Sequence, residues 1–189
     1  GDVYKRQFIF RPKINNVHNS SDGTIKWLLE MDDKSLIETV FIPQGKRGTI
    51  CISSQVGCTL NCTFCNTGTQ KLVRNLNAYE ILGQIFTVID YLNDWPMGKT
   101  NRKVTNLVMM GMGEPLLNYE NVKKALKIAM SSNGLCISKR RITMSTSGIV
   151  PMIEQCGKDL DVNLAISLHA VDDTVSYTHL TLPTKDSVE

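Results

Sequence analysis

The sequence predicts an α/β protein in which a β-hairpin precedes about four strand–helix units. Three observations carry that expectation. Short β-rich apolar runs alternate with helical stretches from residue 49 onward. The apolar residues in those stretches recur at helical spacing. The chemically unusual segments all fall just after a strand. Strand–helix units in succession imply parallel strands joined by right-handed crossovers. The alternation alone does not separate a barrel from an open sheet. In either case the loops at the strand C-terminal ends collect the chemistry.

Residues 24–31 and 36–41 are β-rich and flank Asp32-Asp33-Lys34, which reads as a hairpin with its turn. Residues 43–48 read as a polar loop. The first strand, 49–53, leads into a cysteine-rich loop and then a helix over 78–92, where Ile81, Leu82, Ile85, Val88 and Ile89 share a face. The second strand, 104–110, ends in Gly111-Met112-Gly113-Glu114-Pro115. A helix over 119–130 follows, with Val122, Ala125, Leu126 and Ala129 on one side. The third strand is 141–145, and Pro151 opens a short helix after it. In the fourth, 162–167, Val162, Leu164 and Ile166 alternate.

The two ends read differently. Asp2-Val3-Tyr4-Lys5-Arg6-Gln7 can be encoded as GAT GTG TAT AAG AGA CAG, and the reverse complement, read from its third base, gives Val-Ser-Tyr-Thr-His, the residues from Val175 to His179. That DNA resembles a transposase end used in sequencing libraries. Residues 1–7 and 175–189 are therefore expected to be adapter-derived and are set aside from fold reasoning. The remainder divides into an N-terminal β extension over 8–48 and a strand–helix portion over 49–174.

With 42% hydrophobic and 21% charged residues among 189, the chain can bury one sizeable core, as one domain or a piece of a larger one. A net charge of +3 permits a nucleic-acid partner without arguing for one. No apolar run approaches the roughly 20 residues that span a bilayer, and no signal peptide is evident. The expected location is the cytoplasm, with no membrane partner.

Of the six cysteines, Cys58, Cys62 and Cys65 crowd into a C-x3-C-x2-C run. That is a poor disulfide framework and a good metal-ligand cluster. Three thiolates so close can hold three corners of an iron–sulfur cubane, and no fourth ligand stands nearby in sequence, which leaves one iron open. The alternative is zinc with a distant fourth ligand such as His18 or His169, although zinc sites usually pair two C-x2-C elements. Gly113 and Glu114 close the second strand, where glycine lets backbone approach a ligand and a carboxylate can accept hydrogen bonds from an ammonium. A plain turn is the other reading. The hydroxyls of Ser145 and Ser167, at the ends of strands three and four, suit ribose or carboxylate contacts, or routine capping of the next helix.

The cysteine spacing, with Phe64 before the third cysteine, resembles the signature of the radical S-adenosylmethionine (SAM) superfamily. That resemblance implies a [4Fe–4S] cluster on Cys58, Cys62 and Cys65, with SAM chelated to the open iron. It also implies SAM contacts from Gly113, Glu114, Ser145, Ser167, Leu168 and His169, and a partial (β/α)6-type barrel. The run from Cys51 to Cys58, Asn75-Leu76, the stretch from Met109 to Asn118, Ser138 to Arg141 and Leu164 to His169 together look like the dual-specificity methyltransferases that modify carbon 2 of adenine in 23S rRNA and tRNA. A related enzyme acting on carbon 8 of the same rRNA adenine shares several of these motifs, while Val56 and Glu114-Pro115-Leu116-Leu117-Asn118 favour the carbon-2 family.

An adenine ring C–H is neither acidic nor nucleophilic, so the cofactor must carry the hard step. In that family one SAM methylates a cysteine near the C-terminus. A second SAM yields a radical that activates the methyl group for addition to adenine, and another cysteine resolves the protein–RNA crosslink. Cys51 matches the resolving cysteine and Glu38 the proton acceptor. The bland readings are a buried core thiol and an outward strand carboxylate. The methyl-carrying cysteine is expected beyond Thr174 and a family N-terminal accessory domain before residue 8, so this fragment is expected not to turn over. The resemblance also implies 23S rRNA and tRNA as partners and an electron donor for the cluster; a monomer is the expected state. Cys136 and Cys156 match nothing in the family and are expected in packing. Lys71, Arg74 and Lys139-Arg140-Arg141 are candidates for phosphate contacts or simply exposed charges. A structural zinc protein that binds RNA without catalysis is the reading from a different class.

Overall fold

In the computed structural model, residues 9–63, 65–95 and 101–168 are described; both ends, Phe64 and His169 lie outside them. Four strands open the chain: β1 (Lys13–Asn19), β2 (Ile25–Glu30), β3 (Leu36–Gln44) and β4 (Arg47–Cys51). The short β5 (Gln55–Val56) and β6 (Arg74–Asn75) form a separate two-stranded ribbon around the cysteine loop. Then follow α1 (Ala78–Tyr91), β7 (Asn106–Met109), α2 (Tyr119–Met130), β8 (Ile142–Thr146), α3 (Val150–Leu160) and β9 (Asn163–Ile166).

One sheet in the order β1-β2-β3-β4-β7-β8-β9 carries the molecule. Its first four strands are antiparallel neighbours, and β4, β7, β8 and β9 are parallel. The expected hairpin is β2–β3, with Trp27 opposite Thr39 and Leu28 opposite Glu38. Its turn is set by Asp33, whose carboxylate accepts from the Ser35 backbone N–H at 3.0 Å.

Side chains alternate across the sheet, as strand geometry requires. Trp27, Leu29, Ile37, Ile50, Leu107, Ile142 and Met144 are buried in one core with Ile81, Ile85, Val122 and Leu126 of the helices. The opposite face presents Lys26, Glu38, Cys51, Val108, Thr143 and Ser145, all less buried. Helix α1 begins in a capping box: the Asn77 side chain accepts from the third helical N–H, and Glu80 accepts from Asn77 N at 2.7 Å. Among the described residues no helix is long and apolar enough to cross a membrane.

Three sequence expectations change. Residues 43–48 are not a loop; Gly45 and Lys46 alone make a tight turn, and the flanking residues pair as strand, Pro43 with Gly48 and Gln44 with Arg47. Strand β1 was not expected, because Lys-Ile-Asn-Asn-Val-His-Asn carries too few apolar residues to show the alternation; it is a polar edge strand. Leu164 and Ile166 alternate in sequence as foreseen, yet both are exposed on the edge strand β9.

Candidate functional site

Each described strand–helix crossover starts where a parallel strand ends, so the loops after β4, β7 and β8 meet at one end of the sheet, beside Ser167 just past β9. The loop after β4 folds back on itself. Cys58 forms an isolated bridge with Lys71, and Val73 N donates to Val56 O at 2.9 Å. Within it, Cys65 N donates to Cys62 O at 3.1 Å, which turns the third cysteine back toward the second.

The three cysteines line a cavity of about 150 Å³ together with Gly113, Glu114, Ser145, Ser147 and Ser167. Cys62 is buried, whereas Cys58 and Cys65 are half-buried. Burial pushes the Cys58 thiol above its ordinary range, and the neighbouring Cys62, Cys65 and Glu114 push the same way. None of the six cysteines forms a disulfide. Among the described residues no three His, Cys, Asp or Glu side chains converge on a single-ion site. A cubane differs from a single ion in that each thiolate binds its own iron, so its ligands stand further apart. Three soft thiol donors walling one cavity, with carboxylate and hydroxyls opposite, fit a thiolate-held cluster and an adjoining polar ligand.

Gly113 is the close-approach point. Its φ is +94°, and a Cβ there would fall 2.4 Å from Gln55 Cβ, so a side chain is excluded. Glu114 caps a 3-10 turn, Pro115–Asn118, by accepting from Leu116 N at 3.1 Å through Oε1. Its Oε2 accepts from Ser147 N at 2.9 Å and Ser147 Oγ at 3.1 Å. A carboxylate has about four acceptor positions. These bonds use three and hold the group still, leaving one for an ammonium in the cavity.

Three polar residues with no role assigned from sequence organise this end. Gln55 Oε1 accepts from Glu114 N at 3.0 Å, while its amide donates to Asn75 Oδ1 at 2.7 Å and Thr59 Oγ1 at 3.1 Å. It thus ties the cysteine loop to the Gly113-Glu114 segment. Asn118 donates to Ser54 O at 2.8 Å and Leu76 O at 2.7 Å. Ser147 orients Glu114. Each lies inside or beside a motif run, but partners up to 64 residues away gave sequence reasoning no local signal.

Cys51 and Glu38 share the less buried face of the sheet. Val40 pairs with Cys51, so Glu38, two residues earlier on β3, lies diagonally across from it, at a Cα separation of roughly 7–8 Å. Burial pushes the Cys51 thiol up to about 11, partly offset by the Met110 backbone. Glu38 is half-exposed and ion-paired with Lys26 at 3.1 Å.

Other expected residues separate. Ser145 and Ser167 reach the cavity wall; Leu168 is 72% exposed and does not line it. His169 falls outside the described residues. His18 lies on β1, three strands from β4, or roughly 14 Å at ordinary strand spacing, too far to complete a metal site on the cysteines. Arg74 is not a free phosphate contact. It is held by Glu80 at 2.8 Å and by Asp33, whose carboxyl it keeps well below the usual range. Cys156 is a core residue, against the Met144 sulfur at 3.6 Å, but Cys136 is exposed with φ +53°, contrary to the packing expected of it.

The Radical SAM superfamily matches residues 52–187 of the chain. The dual-specificity RNA methyltransferase RlmN of Parvibaculum lavamentivorans is 58% identical over 174 residues, covering 87% of this chain and 44% of that protein. RlmN of Zymomonas mobilis is 57% identical over 167 residues, covering 88% and 43%. A crystal structure of a radical SAM methyltransferase from Sphaerobacter thermophilus matches with a TM-score of 0.83 at 38% identity, over 89% of this chain and 49% of that one. The chain spans less than half the length of these two curated relatives.

Proposed function

This chain belongs to the radical SAM superfamily, and from that premise we propose that it acts as an RNA methyltransferase on carbon 2 of adenine in 23S rRNA and tRNA. The observation that carries the reading is the meeting of Cys58, Cys62 and Cys65 with Glu114, Ser145 and Ser167 around one cavity. The relatives named as dual-specificity RNA methyltransferases support an RNA substrate.

In this reading the three thiols bind as thiolates, since metal binding displaces their protons. When bound, a reduced [4Fe–4S] cluster with SAM at its open iron supplies radical chemistry able to functionalise an unactivated aromatic C–H. The remaining work falls to the protein. Gly113 lets its backbone approach the methionyl end of SAM. Glu114, fixed by Leu116 and Ser147, accepts from the SAM ammonium at its open position. Ser145 and Ser167 offer hydroxyls to ribose or carboxylate; the contacts that the family resemblance assigns to Leu168 and His169 rest on that resemblance alone. Cys51, kept as a thiol by burial, waits to resolve a protein–RNA crosslink through a disulfide with a methyl-carrying cysteine outside this sequence. Glu38 accepts the proton lost from the modified carbon. The same reading includes an electron donor for the cluster, a cytoplasmic location and a monomeric state.

The test is product mapping. The full-length form is supplied with SAM, reductant and unmodified 23S rRNA fragment or tRNA, and the digested RNA is read by mass spectrometry against methyladenosine standards. 2-Methyladenosine is expected. 8-Methyladenosine would move the assignment to the carbon-8 relatives, and unmodified RNA from cluster-loaded enzyme would contradict it.

A further inference from the structure

We propose that the cationic pocket at the opposite end of the parallel strands holds the sugar–phosphate backbone of the RNA substrate, remote from the base being modified. This rests on the reading of the substrate as RNA. The pocket, about 540 Å³, lies between the β3–β4 turn and the segment entering β7. Lys46, Arg47, Arg102 and Lys103 line it, Phe41 and Pro43 supply its apolar wall, and no Asp or Glu among the described residues contributes. That volume takes a nucleotide unit rather than a lone ion. Strand β4 runs from Arg47 at this pocket to Cys51 at the other end, roughly 13 Å at ordinary strand rise.

The pocket is built rather than incidental. Gly48 has no room for a side chain, since a Cβ would fall 2.0 Å from Lys103 O and 2.5 Å from the Phe41 ring. Thr105 N donates to Gly48 O at 2.8 Å, and Gly48 N donates to Thr105 Oγ1 at 3.0 Å. The hairpin and the entering segment are therefore stitched together. Asp94, whose charge acts on Arg102, already accepts from Lys103 N at 2.7 Å and Val104 N at 2.8 Å.

Elsewhere Arg11 pairs with Asp90, Lys26 with Glu38, Lys34 with Glu30 and Lys123 with Asp159, while Lys13, Lys71, Lys124, Lys127 and Arg140 have no ion pair among the described residues; what sets the pocket apart is that its unpaired cations are clustered. Here Lys46, Arg47 and Arg102 have no ion pair among the described residues. Arg102 is half-buried, and Arg141 from the turn before β8 adds a further like charge beside it. Cations gathered with only the already hydrogen-bonded Asp94 as counter-charge favour an anion, and guanidinium groups match phosphate oxygens in pairs. An apolar wall beside them suits a ribose or base face. An acidic electron-donor protein is the weaker occupant, because it must approach the cysteine cavity, which lies at the other end of the strands.

Binding of an unmodified tRNA transcript to the full-length protein, measured across a salt series, tests this. Lys46→Gln/Arg47→Gln/Arg102→Gln is expected to lose about tenfold in affinity near about 0.1 M salt and to flatten the log–log salt slope by roughly two to three. Arg47→Lys/Arg102→Lys keeps the charge and is expected to retain the slope. Unchanged affinity and slope in the triple variant overturn the proposal. So does unchanged RNA binding with weakened reduction by an acidic donor protein. Cluster assembly should match wild type in both variants. If product mapping fails while these binding differences persist, the pocket stands and the catalytic reading falls.

Discussion

The antiparallel and parallel halves of the sheet share one alternation and use it differently. In β2 and β3, Trp27, Leu29 and Ile37 are fully buried on one face, while Lys26 and Glu38 stand half-exposed on the other. In β4, β7 and β8, strands of four or five residues bury Ile50, Leu107 and Met144, carry Cys51 and Ser145 on the other face, and lead into loops that hold most of the cavity's polar groups. The first half is a long, strongly paired platform. The second is a short-stranded mount for a cavity. Stability and chemistry therefore sit in different stretches of one sheet, and a few buried amides join them.

The strongest way to break that division is Trp27→Ala. Trp27 is fully buried and stacks edge-on against Tyr91 at 5.2 Å. Its loss is expected to cost about 3–5 kcal/mol in denaturant unfolding, with cluster assembly normal in whatever fraction remains folded. Loss of the cluster at unchanged stability would show that the halves do not divide the work.

Gln84→Leu probes the joint itself. Gln84 on α1 accepts from Thr39 Oγ1 at 2.9 Å and Ser53 N at 2.8 Å, and donates to Ser53 O at 3.0 Å. The shorter apolar replacement strands three buried groups, so about 3 kcal/mol of stability should be lost. Cluster assembly should weaken as well, because Ser53 also receives Met112 N at 2.9 Å.

Ser147→Ala removes only one of the two bonds from that residue to Glu114, at about 1 kcal/mol. SAM affinity should fall up to about fivefold, with little change in melting.

The smallest effect concerns pH. Cys51 has its thiol raised from 9.0 to about 11. A raised acid holds its proton longer folded than unfolded, so its contribution is fully present below pH 9.0 and is lost as pH climbs toward about 11. Iodoacetamide labelling of Cys51 should accordingly stay slow until pH approaches that value; rapid labelling near pH 8 would contradict the burial.

Much of this was legible in the sequence where periodicity was strong. The helix expected over 119–130 has those bounds, and the 24–41 hairpin forms as read, because alternating apolar residues leave little choice of face. Strand β1 escaped notice because its residues are mostly polar, and 43–48 looked like a loop because its centre, Gln44-Gly45-Lys46-Arg47, is polar and Pro43 and Gly48 bound it. In the site, the cysteine spacing and Gly113-Glu114 are local and could be read directly. The clamps of Gln55, Asn118 and Ser147 could not, since each depends on which distant loops meet. Arg74 failed for the same reason: nothing near it in sequence announces that Asp33 will lie alongside.

In the proposed reading Cys58, Cys62 and Cys65 together hold an iron–sulfur cubane. Anaerobic reconstitution with iron and sulfide, followed by metal and sulfide counting, tests it most directly on wild type and on Cys58→Ala, Cys62→Ala and Cys65→Ala. The account predicts a brown wild-type protein with about four irons and about four sulfides per chain, and almost none in each variant. A colourless zinc-loaded wild type, or a full cluster in any one of the variants, would contradict it.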